Sequence, residues 1–171
     1  MKRAQLILGL LVVALAPPSL AQKAPASGKT AGTLTVIDAN NRVVGRYENG
    51  VAYTLVNGSL VALPLGFFGE PHLLHLVPSG LHFLTPDCSG LVYTNNVYPG
   101  ALPTGVHRSN GQTTLHVATG PGQTLTFRSS LNVSSTEGEP QYTCSAFEFQ
   151  SRGWATTPVV APEWVEPLRL N

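Results

Sequence analysis

Charge is scarce in this sequence. Lys, Arg, Asp and Glu make up 11% of its 171 residues, ten basic against nine acidic. Such a balance leaves no basic surplus for nucleic acid or anionic lipid. A membrane-spanning run is lacking too: the longest apolar stretch, Leu6 to Ala16, falls short of the roughly 20 residues a span requires. Outside that stretch no segment sustains a 3.6-residue apolar repeat, which argues against a helical fold. Catalytic patterns are also missing. There is no G-x-S-x-G elbow, no phosphate loop and no dinucleotide fingerprint. Asp38 and Asp87 fall in turns, Glu137 and Glu139 in a polar loop, and Glu163 and Glu166 in the tail. None of them forms an evident pair of the kind a glycosidase uses. The expectation is a non-enzymatic protein with no cofactor, no nucleic-acid partner and no bound metal.

What is present is turn chemistry. Gly (17) and Pro (14) are abundant, a profile suited to short strands joined by tight turns. Lys2 and Arg3, the apolar run and Ser19-Leu20-Ala21 together read as a signal peptide cleaved after Ala21. Removing two of the ten basic residues leaves eight against nine acids in the mature chain, with no integral membrane segment. Residues 22–32 read as a flexible leader and residues 33–171 as a single β domain. The expected location is secreted or periplasmic. In that setting the two cysteines, Cys88 and Cys144, point to a disulfide.

The strongest local signal is Val51 to Leu65, in which two apolar runs flank Asn57-Gly58. Both turn residues tolerate the positive φ of a type I′ turn. The register then pairs Val56 with Ser59, Leu55 with Leu60, Thr54 with Val61 and Tyr53 with Ala62. Both faces are apolar, so the hairpin is expected to be covered on both sides, with Leu55 and Leu60 buried. Asn110-Gly111 predicts a similar hairpin between Val106–Ser109 and Gln112–Val117. Pro78-Ser79-Gly80 reads as a three-residue loop joining His72–Val77 to Leu81–Thr85, and Leu131 to Gln141 as a polar loop. Tyr142 to Phe149 alternates as a strand. The prolines of the tail restrict it to an edge strand or an extended cover. Roughly nine to eleven short strands at this spacing predict an all-β fold of antiparallel hairpins, a sandwich or small barrel.

Few residues invite a binding role. Tyr98 and Trp154 lie in Gly/Pro-rich stretches and are expected to be exposed; Tyr53, Tyr93 and Trp164 fit packing better. Phe67 and Phe68, between Gly66 and Gly69, read first as a plug for the end of the core and second as an exposed aromatic tip. His72, His75, His82, His107 and His116 do not converge on one point in a strand pattern, because residues three apart face opposite sides.

Val36 to Gly45 (VIDANNRVVG), an apolar hairpin and Leu81 to Gly90 (LHFLTPDCSG) together resemble a loose class of small exported bacterial β-rich proteins of unknown function. Some of its members resemble domains that follow collagen-like or fibre segments. The class usually carries Gly where Asn41 stands, and Asn is a conservative replacement at a left-handed position. The resemblance implies an exported, mostly β module and transfers no catalytic residues. The leading expectation is surface or periplasmic interaction with a protein or a glycan; the alternatives are a structural oligomerising module and a small secreted hydrolase.

Overall fold

The computed structural model describes residues 33–67, 73–135 and 140–171. The signal segment with Ala21, the leader, His72 and Phe68 lie outside the described residues. The fold is all-β, with two antiparallel sheets. The first contains β1 (Thr35–Ile37), β2 (Val43–Glu48), β3 (Val51–Val56), β4 (Ser59–Phe67), β5 (Leu74–Leu76) and β12 (Arg169–Leu170), in the order β12-β1-β2-β3-β4-β5. Leu168 exchanges two backbone hydrogen bonds with Leu74 on β5, at 2.8 and 2.9 Å. The next two residues pair with β1. The C-terminal segment thereby brings the two edges together, and the sheet is nearly closed.

The second sheet contains β6 (His82–Phe83), β7 (Tyr93–Thr94), β8 (Thr104–Ser109), β9 (Gln112–Ala118), β10 (Gln123–Ser135) and β11 (Gln141–Val160). Its order is β10-β6-β7-β11-β9-β8, and β10 also pairs with β11. The main core lies between the first sheet and the β8–β9 hairpin. It joins Val36, Val44, Val61, Leu63, Leu74 and Leu76 to Val106, Leu115, Val117 and Leu168. A second aromatic group surrounds buried Phe127, whose ring lies 5.2 Å from Phe149 and 6.0 Å from Tyr93. Gly153 makes that packing feasible, since a Cβ there would sit 2.4 Å from the Phe127 ring.

Both Asn-Gly hairpins form with the expected register. Val56 pairs with Ser59 and Tyr53 with Ala62; Ser109 pairs with Gln112 across the other turn. Asn57, Gly58, Asn110 and Gly111 all adopt positive φ, between 50° and 78°, as a type I′ turn requires. Asn41 also takes the left-handed conformation, at φ 62°. Cys88 and Cys144 form a disulfide with a Cα separation of 5.9 Å. Of the two forms expected for the tail, a short edge strand, β12, is present; residues 161–168 before it form no strand and turn at 162–164 and at 166–167.

Several expectations are corrected. Leu55 and Leu60 are exposed, at 66% and 38%, because no other segment among the described residues covers that face near the turn. Residues 78–80 do not form a hairpin loop. Ser79 exchanges two backbone hydrogen bonds with Val106, so the chain crosses from β5 in one sheet to β6 in the other. Most of the supposed polar loop is strand: β10 continues to Ser135, with Asn132 opposite Thr143 and Val133 opposite Tyr142. Residues good at cross-strand pairing hold the hairpin together there despite its polar face. β11 also runs on through Trp154 to Val160, so the strand does not stop at Phe149.

Candidate functional site: a groove beside Trp164

Two adjoining clefts lie where the C-terminal strap, residues 161–168, passes the tip of the β8–β9 hairpin. Of about 340 Å³ and about 320 Å³, they share Gly111, Thr113, Trp164 and Val165. These volumes fall near the lower end of small-ligand sites. Asn110, Gln112 and Glu163 line the first cleft; Leu76, Arg108 and Glu166 line the second.

Local chemistry fixes the strap. The Ala161 amide donates to Thr113 O at 2.9 Å, and the Trp164 amide turns back onto Pro162 O at 2.7 Å. Trp164 is half-buried and packs against the main core while also lining both clefts. Two carboxylates then anchor the segment. Asp38 Oδ1 accepts the amides of Asn40 and Arg42, and its Oδ2 accepts Arg42 Nε at 2.9 Å and the Val165 amide at 3.2 Å. Burial opposes the ionised form of Asp38, yet these hydrogen bonds and the Arg42 charge prevail and hold its pKa below the usual carboxylate value. Glu166 is 15% exposed; its Oε2 accepts Arg108 Nη1 at 2.7 Å and His75 Nδ1 at 2.9 Å, and its Oε1 accepts the Leu76 amide at 2.8 Å. Removing one partner of such a nearly buried pair leaves a charge uncompensated.

No family model, no characterised protein and no solved structure matches this chain.

The residues expected from sequence to bind are not brought together. Tyr98 is half-buried beside Tyr53, and burial, then the neighbouring phenol, raises its pKa. Trp154 is not in a loop: it sits inside β11 opposite Thr94, half-buried, with the Arg152 guanidinium 5.4 Å from its ring and Gly122 against its edge. Phe67 ends β4 and is 60% exposed, so it is an exposed aromatic and not a plug. The Tyr98 loop does reach the first hairpin, where the Leu102 amide donates to Leu60 O. Leu55 and Leu60, paired across that hairpin, present an exposed apolar pair on one face.

The histidines separate into three settings. His75 belongs to the Glu166 cluster. His107 and His116 lie across the β8–β9 hairpin with ring centroids 6.5 Å apart. Burial lowers the pKa of His107; burial and then the His107 charge push His116 down to about 4. Among the described residues no group of three or more His, Cys, Asp or Glu side chains is placed to hold a metal ion.

His82 has the third setting, with Nε2 2.9 Å from Asn95 Oδ1 and Nδ1 hydrogen-bonded to Ser130 Oγ. The amide oxygen can only accept, so Nε2 carries the proton and Nδ1 accepts from the serine. Burial lowers the His82 pKa, the Asn95 bond partly opposing it. A hydroxyl, a neutral imidazole and an orienting amide are the parts of a nucleophilic relay. Here, however, Ser130 is 4% exposed, and the Phe127 and Phe149 rings flank the imidazole. Neither cleft beside Trp164 is lined by Ser130. The network ties β6 and β10 to the chain after β7.

Arg108, Gln112, Thr113 and Glu166 escaped sequence reasoning. Each signal was present separately: a confident Asn-Gly turn, and a Trp flanked by acids and prolines. The link between them spans distant segments, and nothing local encodes it.

Proposed function

We propose that this protein is an exported, non-enzymatic β domain that acts by binding at the cell surface or in the periplasm, with the Trp164 groove as its binding face. The observation that carries this reading is the position of Trp164, half-buried between two clefts on a strap held by Asp38 and Glu166. An aromatic with one face packed and one open, amid a few fixed polar groups, is the usual chemistry of a recognition site. The disulfide is consistent with export. Glycan and peptide arrays probed with the wild type, Trp164→Ala and Gln112→Ala test the reading. Array binding that both substitutions weaken supports it. Binding that neither affects, or no binding by the wild type, overturns it.

The exposed cross-strand pair Leu55 and Leu60 favours a second reading, a module that self-associates through the first hairpin. Light scattering across a concentration series decides it. A strict monomer at the highest concentration removes this reading, whereas a dimer dispersed by Leu55→Lys sustains it.

A further inference from the structure

Resting on the groove reading above, we infer that the ligand is a neutral oligosaccharide, bound as an internal stretch of a longer glycan. Charge is the first argument. The single guanidinium among the residues lining the groove, Arg108, is paired at 2.7 Å with the Glu166 carboxylate. Elsewhere the lining is Asn110, Gln112, Thr113, Trp164 and Val165, with Glu163 exposed at the edge. An anionic ligand finds no free cation here and meets the carboxylate of Glu163. A cationic one meets a single screened charge.

The backbone supplies the second argument. Extended peptides gain affinity by adding a strand to an exposed sheet edge. β9, which forms one wall, pairs with β8 as far as Gln112, while its pairing with β11 ends at Thr114 and is continued by the Ala161 amide on Thr113 O. On the strap, the amides of Ala161, Trp164 and Val165 donate to Thr113 O, Pro162 O and Asp38 Oδ2. Pro162 has no amide to offer. Recognition therefore falls to side chains: the carboxamides of Asn110 and Gln112, the Thr113 hydroxyl and the Trp164 ring. Carboxamides both donate and accept, which suits hydroxyls that do the same, and an indole face suits the C–H face of a pyranose.

Shape gives the third argument. The two clefts share Gly111, Thr113, Trp164 and Val165 and so adjoin, and neither is an enclosed cavity. A chain can lie across both, with one sugar over Trp164 and its neighbours in the two clefts.

The test uses Trp154→Phe, which leaves Trp164 as the only tryptophan in the chain and makes its emission specific for the groove. The variant is titrated with neutral tetra- to hexasaccharides of β- and α-linked glucose and of mannose, with their carboxylated counterparts and with extended peptides of similar length. The expected result is a saturable blue shift with at least one neutral oligosaccharide, weakened about tenfold by Gln112→Ala, as loss of one or two hydrogen bonds implies. Binding of the carboxylated sugar as tight as the neutral one overturns the charge argument. A shift with peptides and none with sugars overturns the inference and leaves the groove reading standing. No shift with any probe overturns both.

Discussion

Two hairpins in this molecule share the same turn and differ in nearly everything beyond it. Asn57-Gly58 joins β3 to β4, and Asn110-Gly111 joins β8 to β9, each with both residues at positive φ and a matched two-residue register. Next to the first turn, Leu55 and Leu60 face solvent. Beside the second, the strap folds over the tip and creates a groove. A turn thus fixes which residues face each other across two strands; it leaves open what lies on top of them. That is decided by segments distant in sequence, here residues 161–168, which border the cleft beside the second turn.

Removing the strap's buried anchor should break the comparison most strongly. Leu168 is fully buried and bonded to Leu74. Leu168→Ala should cost about 2–5 kcal/mol in urea unfolding. It should also raise amide exchange at Gln112 and Thr113 more than at Val56 and Ser59. Equal acceleration at the two hairpin tips would show that the strap does not distinguish them.

Smaller and equal effects are expected at the turns themselves. Gly58→Ala and Gly111→Ala each place a Cβ at a left-handed position, at φ 78° and 72°. Each should cost about 1–2 kcal/mol. Gly58 has open space around its missing Cβ, so its whole cost is backbone strain. A clearly larger loss at Gly111 would mean that the strap adds a steric demand there.

These contrasts also explain what could be read from the sequence. Turn chemistry is local, so the two hairpins, the bend at Asp38–Asn41 and the all-β class followed from adjacent residues. The disulfide was legible because two cysteines have only one intramolecular pairing. The groove was not, since Glu166 meets His75, Leu76 and Arg108 across at least 58 positions of chain, and no periodicity encodes such contacts. Trp154 was expected to be exposed because a glycine and a proline lie nearby, and it is half-buried. Yet Gly153 is there to admit Phe127, and Pro158 lies in the last part of β11, paired with His116 of β9.

Acid should separate the hairpins further. β3 and β4 carry no histidine, whereas the second hairpin carries His107 and His116, both with lowered pKa values. A histidine kept neutral in the fold titrates near 6.5 once unfolded. Stability is therefore flat above about 6.5 and falls as pH drops toward about 4, because the unfolded chain takes up protons the native state refuses. His82 acts in the same direction. Partial solvent exposure moderates the effect at each site. The urea midpoint should decline over this window, and His116→Gln should flatten part of the decline. An unchanged slope in that variant would assign the acid sensitivity elsewhere.

The smallest effects should come from the exposed leucines, and they sharpen the comparison most directly. Sequence alone makes Leu55 and Leu60 look like a buried cross-strand pair, whose truncation costs about 2–5 kcal/mol. Their exposure, 66% and 38%, removes most of that transfer energy, and no cavity can form where solvent already reaches. Leu55→Ala and Leu60→Ala should each cost less than about 1 kcal/mol, the pairwise term being one cross-strand contact. Leu115→Ala, on the second hairpin and fully buried, should cost several times more by the same measurement. If Leu55→Ala instead approached the Leu115 value at high protein concentration and fell on dilution, the pair would be covered by a second copy of the chain. The hairpins would then differ in what covers them, the strap on one and a neighbouring molecule on the other.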